Sequence, residues 1–207
     1  MILNAPRPVG ALTSITYSEK KLQGLPCGLH RARLSDAMFL IPELSNLYKS
    51  CPVPRAEWDE WFIDVKIHML MKGQFPCIPN WHTDNVPRVE GATRFDLIED
   101  DAKPMYVWLS SGPTTEFIAQ DFELTDGHIK AHGDFAGLEA TIPTEQIKAQ
   151  QWYQMSQTTP HRGTCAEDNH WRVFARLTHQ SISSGRPVLN NIRRHAQVYL
   201  DASTFTW

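Results

Sequence analysis

Every odd position from 61 to 71 is apolar (Trp61, Ile63, Val65, Ile67, Met69, Met71), while Asp64, Lys66, His68 and Lys72 stand at even positions. A period of two fits a β-strand, whose successive side chains point to opposite faces. One face of this strand must pack against something apolar. The other either meets solvent or lines a polar interior, in which case His68 reaches that interior. Shorter runs follow at 93–98, 105–110, 114–119, 122–124, 138–142, 152–158 and 171–178, broken by turn residues such as Ser111-Gly112-Pro113. The last of these puts Trp171, Val173, Ala175 and Leu177 on one face and Arg172, Phe174, Arg176 and Thr178 on the other. Short strands without strand–helix–strand alternation predict a mainly β chain, a sandwich or jelly roll.

The N-terminal part reads differently. Residues 1–30 predict at most a strand at 12–17 that covers an edge. Ala37, Phe39, Leu40, Leu44, Leu47 and Tyr48 recur at helical spacing, with Ser35 or Asp36 as cap and Pro42 as a break, so one or two helices are expected over 35–50 on one sheet. The expectation is a single domain over 1–207: a helical and edge segment over about 1–55, a β core over about 61–178 and a tail over 181–207. In that tail Asn191-Ile192-Arg193-Arg194-His195 and Phe205-Thr206-Trp207 either pack back on the core or swap to a neighbour.

Composition removes several function classes. A net charge of −3 with scattered Lys and Arg gives no nucleic-acid footprint. Neither a signal-like N-terminus nor an apolar run of membrane-spanning length is present, so a soluble cytoplasmic protein is expected. Cys27, Cys51, Cys77 and Cys165 form no C-x-x-C pair and are expected as reduced thiols.

Chemistry enters at Asn80-Trp81-His82-Thr83-Asp84, where an imidazole and a carboxylate two positions apart share one face of an extended segment. With 9 His and 23 acidic residues, about one H-x-[D/E] arises by chance. Two occur, His82/Asp84 and His132/Asp134. Distance along the chain separates them. Strand plus turn takes about 8–12 residues; the interval from Asp84 to His161 holds several strands, whereas that from Asp134 does not, so His132 and Asp134 are expected in a loop. His161 follows a predicted strand and precedes Arg172, with Arg176 on the same face as a second guanidinium able to grip a carboxylate. Two His and one carboxylate are the facial triad of non-haem Fe(II) centres, which leaves coordination positions open. Thr83, Asn85 and Thr159 are candidate supports for the ligands, and Trp81 and Trp108 either stack on a flat substrate or fill the core.

The order His82-Thr83-Asp84, His161, Arg172 resembles that of the Fe(II)/2-oxoglutarate-dependent oxygenases over residues 61–178. The resemblance implies a double-stranded β-helix, iron held by His82, Asp84 and His161, and 2-oxoglutarate chelating the metal through its 2-oxo and C1 carboxylate groups. It further implies that Arg172, or less favourably Arg176, binds the far carboxylate, and that an unidentified substrate is hydroxylated with release of succinate and CO₂. Two other readings stay open: a cupin-like metal enzyme that does not use 2-oxoglutarate, and a non-enzymatic jelly-roll binding or structural module.

Overall fold

The computed structural model describes residues 1–90, 92–112, 114–124, 142–182 and 191–193. The chain is mainly β, with antiparallel sheets. Its strands are β1 (Ile2–Leu3), β2 (Arg7–Val9), β3 (Gly28–Arg33), β4 (Trp61–Leu70), β5 (Arg88–Val89), β6 (Ala92–Thr93), β7 (Met105–Leu109), β8 (Thr115–Ile118), β9 (Phe122–Glu123), β10 (Thr144–Gln146), β11 (Trp152–Met155), β12 (His161–Gly163), β13 (His170–His179) and β14 (Asn191–Arg193). Among the described residues three short α-helices join them: α1 (Glu19–Gln23), α2 (Leu34–Leu40) and α3 (Ser45–Lys49). No helix among the described residues is long and apolar enough to cross a membrane.

A large sheet runs in the order β14-β3-β4-β13-β7-β11-β2, and a small one in the order β10-β8-β12. A single bridge, His82 to His161, adds the H-x-D segment beside β12. The pairings nest. β4 pairs with β13, the segment at His82 with β12, β7 with β11 and β8 with β10, while β13 also pairs with β7 and β12 with β8. The chain thus crosses between the two sheets repeatedly, and residues far apart in sequence become neighbours.

The apolar face of β4 meets the helices, as its alternation requires. Ile63, Val65 and Ile67 share one core with Val173, Ala175 and Leu177 of β13, Trp108 and Trp152, and with Leu34, Ala37, Leu44, Leu47 and Tyr48 from the helical segment. Burial of this many apolar side chains is the main favourable term in the fold. A second cluster joins Met105, Val107, Leu109, Tyr153 and Met155 of the large sheet to Phe117 of the small one, so the other face of the large sheet is covered too.

That covering settles the open question about β4. Asp64 and His68 are each 4% exposed, whereas Met69 and Met71, at the end of the apolar row, are 41% and 49% exposed. Asp64 and His68 lie inside, and Lys66 between them is half-buried.

Several expectations are corrected. Residues 12–17 form no strand; Thr13 is held by its N–H and hydroxyl on the Gln150 carbonyl, and β2, with Pro8 in it, takes the sheet edge where a missing N–H is tolerated. The helical stretch is broken at Pro42 by a 3-10 turn, as expected, but neither Ser35 nor Asp36 caps it. Arg33, the last residue of β3, stands at that position, and Asp36 falls in the first turn, where its charge suits the helix dipole. In place of a strand over 93–98, only the β5–β6 pair and a 3-10 turn over Phe95–Leu97 form. β10 was not foreseen because Thr-Glu-Gln on a sheet edge carries no apolar alternation. Part of the C-terminal tail does pack back, since β14 pairs with β3. His132, Asp134, residues 138–141 and Phe205-Thr206-Trp207 lie outside the described residues.

Candidate metal centre

His82 and His161 face each other through reciprocal main-chain hydrogen bonds, His82 N–H to His161 O at 3.0 Å and His161 N–H to His82 O at 2.9 Å. Directly opposed residues of an antiparallel pair project to the same side, and the imidazole centroids are 4.4 Å apart. Asp84 joins them. One donor atom from each of His82, Asp84 and His161 lies within 4.8 Å of the other two, and these are a group of His, Cys, Asp and Glu residues that could hold a metal ion among the described residues.

Each imidazole is oriented by its own backbone. Nδ1 of His82 is 2.8 Å from the Asn80 carbonyl, and Nδ1 of His161 is 3.1 Å from the Thr159 carbonyl. A carbonyl only accepts, so both Nδ1 atoms carry a proton and each ring turns its Nε2 to the centre. Nε2 of His161 then stands 3.4 Å from Oδ2 of Asp84. The same Asp84 oxygen accepts from the Arg176 guanidinium, and its approach to the imidazole leaves room for a shared proton or a cation. Metal–donor bonds of about 2.1 Å meeting at right angles put neighbouring donors ~3 Å apart, which fits the spacing. Donor chemistry and orientation therefore both suit a divalent ion.

The supporting loops are tied to one another. Gln157, buried, donates from Nε2 to the Asn85 carbonyl at 2.5 Å. Asn85 itself adopts φ 57, the left-handed turn that Asn tolerates, directly after the ligand Asp84. Thr159 holds its own loop by accepting from Ser156 N–H at 2.9 Å, and Asn4 reaches Thr158 Oγ1 at 2.7 Å. Phe117 stacks on His161 at a centroid distance of 5.3 Å. Of the expected supports, then, Thr159 acts through its carbonyl and Asn85 through its backbone turn, while Thr83 contributes no hydrogen bond from its buried hydroxyl.

Arg176 sits behind Asp84. One Nη donates to Asp84 Oδ2 in a short contact and the other to Asp64 Oδ2 at 2.9 Å, while Arg31 Nη1 lies 3.4 Å from Asp64. Arg31, Asp64 and Arg176 are opposed across β3, β4 and β13, giving a row of alternating charge that ends on Asp84. Burial alone would raise the Asp84 carboxyl, but the Arg176 guanidinium, with help from both histidines, holds it well below the usual carboxylate range. Burial also presses His82 down to about 4, assisted by His161.

Arg172 is placed differently. It is 1% exposed and pairs in register with His68, while Lys66 lies two residues further along the same face of β4. Burial lowers Arg172 to about 10 and Lys66 to about 8, so both remain cations at neutral pH. Cys77 lies among Arg172, Lys66, Asp84 and Arg176 and is pushed up to about 11 by burial, a thiol rather than a thiolate. All four cysteines are free. Trp81 and Trp108 do not line this space: Trp108 belongs to the helix-facing core, and Trp81 packs with Leu3, Ile118, Leu124 and Ile142 on the outer side of the small sheet, under Arg162 at 4.8 Å. Alternation marked Asp64, Lys66 and His68 as one polar row, but nothing local to β4 announced that a second sheet covers it.

Comparison with family models, with curated proteins and with solved structures gives no match to this chain.

Proposed function

We propose that the chain is a non-haem Fe(II)- and 2-oxoglutarate-dependent oxygenase built on a double-stranded β-helix. The observation that carries the reading is the opposition of His161 Nε2 and Asp84 Oδ2 at 3.4 Å, with both imidazoles turned by backbone carbonyls so that their Nε2 atoms face the centre. Two His and one carboxylate on one side of an ion suit Fe(II) with open positions. The nested strand order supports the scaffold, since it brings the His82 segment and β12 together at the proposed ligands and β4 and β13 together at Arg172.

Bound there, iron with 2-oxoglutarate and O₂ would supply the oxidising power for hydroxylation, releasing succinate and CO₂. The chain's own part is holding and orienting. His82, Asp84 and His161 hold the ion, and Arg176 steadies Asp84 from behind. Arg172, on β13 opposite His68, is the guanidinium assigned to the far carboxylate of the cosubstrate, and Arg176 serves Asp84 and Asp64. The charge balance favours a dianion: Arg31, Lys66, Arg172 and Arg176 outnumber Asp64 and Asp84 before any divalent ion is added. The surrounding buried sheet faces exclude water.

Anaerobic addition of Fe(II) and 2-oxoglutarate should produce a weak visible charge-transfer band that His82→Ala abolishes, and aerobic incubation should release succinate. Absence of the band in the unmutated, iron-loaded protein would end this reading. Stimulation of succinate release across a substrate panel then identifies the group hydroxylated.

A further inference from the structure

His179, the last residue of β13, shares a strand face with Val173, Ala175 and Leu177, which pack on the helices, while Arg172 and Arg176 project from the opposite face. Its side chain is buried. Trp61 stands opposite it in the β4–β13 register, with the two rings edge to face at a centroid distance of 5.2 Å. Both imidazole nitrogens have polar partners. Nδ1 accepts from the Ser181 N–H at 3.2 Å and lies 2.8 Å from Ser181 Oγ, and Nε2 lies 3.1 Å from Glu60 Oε2. An N–H only donates, so Nδ1 bears the lone pair and the ring proton sits on Nε2, where Glu60 accepts it. The Ser181 hydroxyl then donates to Nδ1. A hydroxyl, an imidazole and a carboxylate thus stand in the order nucleophile, base and orienting acid. Glu60 and His179 lie 119 residues apart in sequence and are brought together by the pairing of Trp61 with His179. Ser181 is exposed, in the 3-10 turn Gln180–Ile182.

We propose that Ser181, His179 and Glu60 form a second chemical site, a surface esterase centre at which Ser181 Oγ is acylated by uncharged carboxylic esters. As Oγ bonds to the carbonyl carbon, His179 takes the hydroxyl proton on Nδ1; it gives that proton to the departing alkoxide as the ester C–O bond breaks. Water, deprotonated by the same nitrogen, attacks the acyl-serine, the acid leaves and the proton returns to Oγ. Ester and water become acid and alcohol with no redox step. Glu60 is a positioning residue that fixes the tautomer and steadies the ring while it is charged. Relative to the Ser-His-Asp arrangement, the two ring nitrogens exchange roles. An open, wet site stabilises developing charge less than a closed one, so esters with good leaving groups react best, and the Glu60 charge disfavours anionic ones. The site lies on the face of the large sheet away from Asp84 and Arg176, and it does not rest on the oxygenase reading.

Incubation of the full chain with a fluorophosphonate, followed by peptide mass spectrometry, should find the phosphonyl group on Ser181. A burst of para-nitrophenolate from para-nitrophenyl acetate should vanish in Ser181→Ala. His179→Gln should slow phosphonylation about a hundredfold by removing the base. If the three residues merely close the 3-10 turn, their substitution lowers the melting temperature but the unmutated protein gives no adduct. The His179 ring ¹⁵N signals should place the proton on Nε2 and move towards the other tautomer in Glu60→Ala. Ser181 left unlabelled, labelling no faster than in the urea-unfolded chain, a burst that persists in Ser181→Ala, or a rate unchanged in His179→Gln overturns the esterase centre. Ring signals unmoved in Glu60→Ala overturn the role of Glu60.

Discussion

Arg176 divides its guanidinium between Asp84 and Asp64, which makes it a counter-ion for the ligand carboxylate. Removing one partner from a buried ion pair costs about 3–5 kcal/mol, because the charge left behind is uncompensated. Arg176→Met should therefore destabilise the metal-free protein by about 3 kcal/mol, discounted for the side chain's partial exposure. A divalent ion at Asp84 replaces part of the lost positive charge, so Mn(II) should raise the urea midpoint of the variant more than that of the parent. Equal metal-induced shifts would refute this role. The clustering of His82, Asp84 and His161 was legible at this scale because order and interval along the chain single out two of nine histidines and the aspartate beside one of them. The role of Arg176 was not, because its partner Asp64 lies 112 residues away and meets it only through strand register.

At the level of elements, a three-residue strand carries His161 of the candidate metal cluster. β12 pairs with β8 on one side and takes the His82 bridge on the other, and its last residue, Gly163, lies tight against Cys77. A Cβ at Gly163 would stand 2.8 Å from the Cys77 carbonyl oxygen, closer than backbone allows. Gly163→Ala should thus displace β12, cost about 1–3 kcal/mol in urea unfolding and weaken metal binding through His161. A variant of native stability and metal affinity would show that β12 yields without disturbing its histidine. The ten-residue β4 and β13 were evident from their alternation. The H-x-D segment, expected to begin a strand, forms one bridge only, since its pairing comes from a distant strand and leaves little local signature. β10, an edge strand paired among the described residues only with β8, was hidden for the same reason.

Across the whole molecule, burial makes the metal-free protein sensitive to acid. His30, His68 and His82 all have lowered pKa values, with His82 near 4 and His68 near 2. Above about pH 6.5 these rings are neutral in folded and unfolded chains alike and contribute no pH dependence. Below it the unfolded chain binds protons that the folded chain refuses, so stability falls as pH drops from about 6.5 towards each lowered value. Asp84 adds a further loss below about 3.8, where the unfolded carboxyl takes up a proton that the folded one resists. Urea midpoints should decline from pH 7 to 5, and the slope should be shallower in His68→Leu. A flat profile would mean that these rings are hydrated. The β class and the helices on one sheet followed from periodicity, whereas the interior position of the polar row depended on a second sheet that no local pattern of β4 describes.

The imidazoles of His82 and His161 are both aimed by main-chain oxygens, those of Asn80 and Thr159, instead of by side-chain carboxylates or amides. A carbonyl is common to every residue type, so the aim of the rings is inherited from the course of the polypeptide and is indifferent to which amino acid occupies position 80. Drift at that exposed site can accumulate without turning the histidines away, which leaves the neighbourhood of the centre free to diversify around a fixed pair of rings.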